Sequence, residues 1–216
     1  MPSSSLSDNF STMRKAMIDS QLRPNAVEEK WILDAMSKTA REDFVPAEYR
    51  NIAYMDRSVP MGSGRYLAPP LTSALMLQKA NITADDTILY IGATSGYNAQ
   101  IASARAAHVS ALDSIDNAAK ADNITAITGN LKEGAAENAP YSLIIIEGTV
   151  EQVPQNIINQ LADNGRLICG IGNGDVAHLS IGYKRADSLA LTAFMECELM
   201  RFTSEHGFDK EKEFSF

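Results

Sequence analysis

The sequence predicts an α/β fold in which a mainly parallel sheet carries helices on both faces. Two observations predict it. From Ile88 onward, short apolar, β-rich runs alternate with Ala-rich or amphipathic segments, the pattern of parallel strands joined by crossover helices. Before Ile88 the apolar spacing is helical. The stretch ILYIGATSGYNAQIA, residues 88–102, shows the unit most plainly, as a buried run that breaks at a glycine turn and resumes as a helix.

Taken in order, residues 9–50 read as helical. FSTMRKAMIDSQL places Phe10, Met13, Met17 and Ile18 on one face, and VEEKWILDAMSKT does the same with Val27, Trp31, Ile32, Ala35 and Met36. Pro24 and Asn25 separate the two. VPMGSGRYLAPPLTSALMLQKA begins as a Gly-rich loop and becomes an apolar helix from about Leu71, introduced by Pro69 and Pro70. TILYIG, HVSALD, ITAITG, YSLIIIEG and GRLICGIG then supply strands, with a helix over 97–107 after the first. Asn173-Gly174 signals a hairpin into HLSIGYKR, and LALTAFMECELMRF supplies a last strand that ends the sheet antiparallel. The expected organisation is a single domain over 1–216, with a helical region over about 9–80 and a sheet core over about 86–216.

Composition narrows the function classes. The 216 residues, 45% hydrophobic and 21% charged, suffice for a full core without disulfide or metal. A net charge of -8, with no basic cluster beyond Arg14-Lys15 or Lys184-Arg185, argues against a nucleic-acid partner. Cys169 and Cys197 lie in apolar segments without CxxC spacing and read as reduced core thiols. His108, His178 and His206 show no ligand spacing, so no metal site is indicated. MPSSSLSDNF lacks the features of a signal peptide and no run is long enough for a membrane span; the expected location is cytoplasmic.

The glycine turn invites a nucleotide. Gly92-Ala93-Thr94-Ser95-Gly96 has two glycines four apart, which fits a dinucleotide fingerprint poorly. A nucleotide-sized ligand can still lie across the strand's carboxyl end, facing the turn's backbone N–H groups and the N-terminus of the following helix. Asp113 ends the next strand near the offset of about 20 residues at which an acid accepts ribose hydroxyls. The competing reading is a tight turn with Asp113 as a surface loop acid.

MIDSQLRPNAVEEKWILDAM, AREDFVPAEYRNIAYMDRSVPMGSGRYLAPP and ILYIGATSGYNAQIA resemble, in order and spacing, the protein-L-isoaspartate O-methyltransferase family. MIDSQL, REDFVP and IAYMDR are the most specific parts, and the resemblance runs from Met13 to a Phe-x-Phe end. It implies a Rossmann-like class I methyltransferase fold with seven strands, S-adenosylmethionine as cofactor and a protein or peptide carboxylate as substrate, in protein repair. It also implies cofactor contacts at Tyr90, Gly92, Ala93, Thr94, Gly96, Asp113, Asn130 and Leu131; Glu147, ending the fourth strand in IIIEG, is a further candidate because ligands bind at the carboxyl rim of such sheets.

Several positions depart from the family pattern. Tyr90 stands where an acid faces the cofactor's ammonium, and offers only a phenol and a ring face. Thr94 stands where a third glycine is usual, and is strained if the turn needs a positive φ there. Asn130 and Leu131 stand where an acid often receives the adenine amine. Ser114 to Asn123 leave about the minimum of 10 to 12 residues for a crossover. In the substrate loop, where the family resembles Q-T-x-S-x-P, RYLAPP places Arg65, Tyr66, Ala68 and Pro70 at the matching positions, with Leu67 between. The serine hydroxyl is gone, while Arg65 offers a fork to a carboxylate; a surface loop arginine is the other reading, as a solvated strand-end acid is for Glu147. Catalytic residues are not assigned by the sequence. Two functions follow: a carboxyl O-methyltransferase with weakened cofactor binding, or a non-catalytic member that has lost the cofactor and serves as a binding or structural protein.

Overall fold

The computed structural model describes residues 3–114, 119–172, 176–202 and 208, the side chains of 3–8 apart. The N-terminal part is helical as the spacing predicts. Helix α1 (Ser3–Met17) runs into a π-helical turn over Ile18–Leu22 and a 3₁₀ turn over Arg23–Asn25, where Pro24 lies; α2 (Lys30–Lys38) follows. The remainder up to Ile52 folds as 3₁₀ turns over Arg41–Phe44 and Ala47–Ile52.

The Gly-rich stretch is a small hairpin where a loop is expected. Strands β1 (Val59–Gly62) and β2 (Arg65–Leu67) pair antiparallel across a tight turn. That turn holds Gly62, Ser63 and Gly64 at φ of 86°, 50° and 70°, a left-handed run that the two glycines make tolerable. Helix α3 (Pro70–Ala80) starts with Pro70 at its first position, where the missing N–H costs nothing.

The sheet begins with β3 (Thr87–Ile91), followed by α4 (Tyr97–Ser103), β4 (His108–Asp113) and β5 (Ile124–Thr128). Helix α4 stops four residues before the expected 107, because the chain turns at Ala104 and the Ala107 N–H bonds to the Asp86 carbonyl at 3.0 Å to enter β4. Then come β6 (Tyr141–Val150), α5 (Gln155–Asn159), β7 (Leu161–Ile171), β8 (Ala177–Arg185) and β9 (Ser188–Cys197). The order across the seven-stranded sheet is β5-β4-β3-β6-β7-β8-β9. The first five strands are parallel, while β7–β8 and β8–β9 pair antiparallel, so the antiparallel end is as expected. Its last strand stops at Cys197, short of the expected Phe202, although Arg201 still bridges to Thr149.

Both faces of the sheet are covered, which explains the continuous apolar runs. In β3, Ile88 and Tyr90 face a core built with the N-terminal helices, and Leu89 and Ile91 face a second core with Ile157, Phe202 and Phe208. The hairpin signal at Asn173-Gly174, much of the short crossover after Ser114, and the Phe-x-Phe end lie outside the described residues. No helix among the described residues is long and apolar enough to cross a membrane.

Candidate functional site

The carboxyl ends of β3 and β4 are joined by the glycine turn. Gly92 and Gly96 have φ of 78° and 83°, and the Gly92 and Ala93 N–H groups donate to the Leu112 carbonyl at 2.9 and 3.2 Å. Thr94 also adopts the left-handed region, at φ 46°, a conformation that costs a β-branched residue roughly 1–2 kcal/mol. Two contacts offset the cost. The Thr94 hydroxyl donates to the Gly92 carbonyl at 3.0 Å, and its N–H donates to the Asp113 carboxylate at 2.5 Å.

Asp113 is fully buried, so it is no surface loop acid. Besides the Thr94 N–H it accepts from the Ser114 N–H at 2.7 Å and from Arg65 Nη2 at 2.5 Å. Arg65 is buried too, contrary to a solvent-facing loop arginine. Its Nη2 also donates to the Thr94 hydroxyl at 3.2 Å, and its guanidinium lies 5.2 Å from the centre of the Phe202 ring. Among the described residues its Nε and Nη1 are buried without a hydrogen-bond partner.

Phe202 lies against the turn itself. A Cβ built on Gly92 would meet its ring at 2.5 Å, and one on Gly148 at 2.7 Å. A Cβ on Gly96 would run into Ala119. The glycines that leave backbone open for a ligand are here covered by the chain's own groups.

A second polar cluster lies beside the first. The β6–β7 register slips between Ile146 and Thr149, placing Glu147 in a bulge, a device that re-aims side chains at sites. Glu147 is 3% exposed, not a solvated strand-end acid. Burial pushes its carboxyl up to about 7, against the opposing pull of the Tyr90 hydroxyl, the Asn98 amide, Arg41 and the Ala68 N–H. Asn98 Nδ2 donates to it at 2.6 Å and to the Ser73 hydroxyl at 2.9 Å. Tyr90, fully buried, stands next to Glu147, and desolvation with that neighbouring charge raises its phenol well above the usual range. The Tyr90 hydroxyl lies close enough to pull on Glu147, yet among the described residues neither it nor Glu147 Oε2 makes a hydrogen bond of good geometry. Buried polar atoms left in this way are costly and mark where a ligand would be welcome.

The other predicted residues separate. Tyr66 is 44% exposed and lines a cavity of about 380 Å³ with Ser58, Thr149, Cys197 and Arg201. Leu67 belongs to the core, and the Ala68 carbonyl accepts from Arg41 at 2.6 Å. Pro70 opens α3. Asn130 caps the 3₁₀ turn over Leu131–Glu133, accepting from the Lys132 N–H at 3.2 Å, and Leu131 is buried in the second core.

Four residues escape a reading of the sequence. Arg41, inside REDFVP, is fully buried, donates to the carbonyls of Ala53 and Ala68, and lies 4.8 Å from the Tyr97 ring centre. Asn98 donates to Glu147 and to the Ser73 hydroxyl, and Phe202 covers the turn. Only Arg41 carried a signal, an arginine within a family-specific motif.

A glycine turn leaving the first strand of such a sheet, with an acid ending the strand beside it, defines the Rossmann-like class I methyltransferase fold. Two solved structures share the architecture. A protein-L-isoaspartate O-methyltransferase aligns with a TM-score of 0.72 at 20% identity over 88% of this chain and 66% of its own. A putative protein-L-isoaspartate O-methyltransferase from Plasmodium falciparum, in complex with S-adenosyl-L-homocysteine, aligns with a TM-score of 0.72 at 16% identity over 89% and 97%. The chain belongs to the protein-L-isoaspartate O-methyltransferase family: the profile of Protein-L-isoaspartate(D-aspartate) O-methyltransferase matches residues 12–207. Among its relatives, the protein-L-isoaspartate O-methyltransferase of Koribacter versatilis is 32% identical over 92% of this chain and 94% of its own. That of Gloeobacter violaceus is 35% identical over 72% and 81%.

Proposed function

We propose that this chain is an S-adenosylmethionine-dependent O-methyltransferase acting on isoaspartyl carboxylates of proteins, working in the cytoplasm as a single domain over residues 1–216. Family membership supports the reading. The observation that carries it is the buried Asp113 carboxylate at the end of β4, aimed by the Thr94 N–H toward the rim of the glycine turn, where ligands of such sheets bind.

The donor set suits the cofactor. Asp113 would accept the ribose hydroxyls, and Gly92, Ala93, Thr94 and Gly96 would bring backbone close to the ligand. Glu147, adjacent to Tyr90, is the acid that could stand in for the one Tyr90 replaces, and a cofactor ammonium beside it would favour its ionised form. Asn130 and Leu131 would border the adenine. Arg65 and Phe202 stand over the turn, so binding requires both to give way.

S-adenosylmethionine, when bound, supplies a methyl group already activated on a sulfonium. Displacement of that methyl by an already ionised substrate carboxylate would ask no proton transfer of the protein. The protein therefore has to position rather than to act as a base. In β2, Arg65 offers the carboxylate a fork, Tyr66 lies at the open cavity, and Leu67, Ala68 and Pro70 anchor the strand to α3. The test is methyl transfer to an isoaspartyl peptide, with the aspartyl peptide as control. Base-labile methyl ester on the isoaspartyl peptide alone is expected; no ester at saturating cofactor would overturn the proposal.

A further inference from the structure

Arg65 has more donors than partners. One of its nitrogens serves both Asp113 and Thr94, while the other two are buried without acceptors among the described residues. A guanidinium fixed for structural reasons usually spends its whole fork. Arg65 also sits on a three-residue strand of a hairpin whose register already slips between Pro60 and Gly62, and it covers Phe202, the ring that fills the space over Gly92 and Gly148. The residues next in chain to this pair, Tyr66 and Arg201, line the same open cavity.

We propose that Arg65 is a latch shared between the two ligands: it closes the cofactor groove by holding Asp113, and once Asp113 is engaged by the ribose it is released to receive the substrate carboxylate. The inference rests on the methyltransferase reading above. It follows that the two ligands bind with positive coupling, because each removes the partner that keeps Arg65 from the other. Coupling of this kind is reciprocal. Arg65 then acts as a positioning residue toward the cofactor and as a direct binding residue toward the substrate.

The experiment is calorimetry with S-adenosylhomocysteine on wild type and Arg65→Met, each with and without an isoaspartyl peptide, after circular dichroism has shown both to be folded. For Arg65→Met, S-adenosylhomocysteine affinity rises about tenfold or more while the peptide KM rises, opposite movements that a merely structural residue would not give. In wild type the peptide tightens S-adenosylhomocysteine about fivefold or more, and this coupling is absent in the variant. If Arg65→Met does not fold, Arg65→Lys, which keeps the charge but loses the fork, serves in its place, and Phe202→Leu should also tighten S-adenosylhomocysteine. Equal affinity in wild type and variants, or coupling that survives without Arg65, overturns the latch while leaving methyl transfer intact. Failure of every form to bind S-adenosylhomocysteine overturns the latch and the methyltransferase reading together.

Discussion

The sheet carries an arginine–aspartate pair at each end, and the two are built differently. At the amino end Asp86, just before β3, meets Arg166 of β7 through both nitrogens of the fork, at 2.6 and 3.0 Å. Arg166 spends its remaining donors on the carbonyls of Ala80 and Asn81, and Asp86 accepts further bonds from Ser142 and from the Thr83 N–H. Burial would raise the Asp86 carboxyl, yet Arg166, Ser142 and Thr83 outweigh it and hold it down at about 2. At the carboxyl end Arg65 touches Asp113 through one nitrogen and leaves two without partners among the described residues. The satisfied pair ties the end of α3 to three strands and is a fastening. The pair at the carboxyl end is suited to exchange, because its arginine has more to gain from a new partner.

The sharpest way to break this contrast is Arg166→Ala. It removes the cation and all of its bonds, leaving Asp86 with only Thr83 and Ser142, and should cost about 3 kcal/mol, read as a fall in the urea midpoint; a loss below about 1 kcal/mol would mean the fastening is not one.

The pH dependence of stability separates the two ends by sign. Glu147 has a folded pKa near 7, above its unfolded value near 4.5, so the native state holds its proton more tightly. Stability from this group is complete below about pH 4.5 and is lost as pH rises to about 7, on the order of 3 kcal/mol at about 1.4 kcal/mol per unit. Asp86 works the other way: its contribution is present above about pH 4 and is lost as pH falls toward about 2. Urea titrations from pH 4 to 8 should show the first loss, and Glu147→Gln should flatten it. A curve for Glu147→Gln that parallels wild type would remove Glu147 from the account.

Arg65→Met should cost less than Arg166→Ala, about 1–2 kcal/mol by urea unfolding. The reason is that Asp113 keeps the Thr94 and Ser114 N–H bonds while two unmet donors disappear with the arginine. A cost equal to that of Arg166→Ala would make both pairs fastenings. Smallest of all is Thr94→Gly. Relief of the left-handed strain is offset by the loss of its hydroxyl bonds and by glycine's unfolded entropy, so the midpoint should move by no more than about 1 kcal/mol either way.

How much of this could be read from the sequence depended on whether the signal was local. The strand, turn and helix of residues 88–102, the proline-led start of α3 and the antiparallel tail follow from periodicity and from Gly and Pro, which act over a few residues. Asp113 was placed correctly by its offset, but its burial was not, because burial came from Arg65 in a hairpin 48 residues away. Glu147 reads as a strand-end acid, but β6 runs on to Val150, and the turn of Glu147 toward Tyr90 depends on a bulge set by pairing with β7. Phe202 had no sequence signal at all, since a phenylalanine after a strand says nothing of the glycines it will cover. Thr94 is the converse case: the strain expected at a positive φ is present, because the need was written in the turn itself.

The strand β2 shows a buried, exposed, buried alternation, with Arg65 inward, Tyr66 outward and Leu67 inward. A shift of the β1–β2 pairing by one residue would exchange their faces, putting a phenol inside and the cation in solvent. The polarity of the groove is thus encoded less by which residues the segment contains than by how a three-residue ribbon is indexed against its neighbour. Gly62 and Gly64 set that index, and an insertion or deletion at this turn would rewrite the chemistry of the pocket without altering one of its side chains.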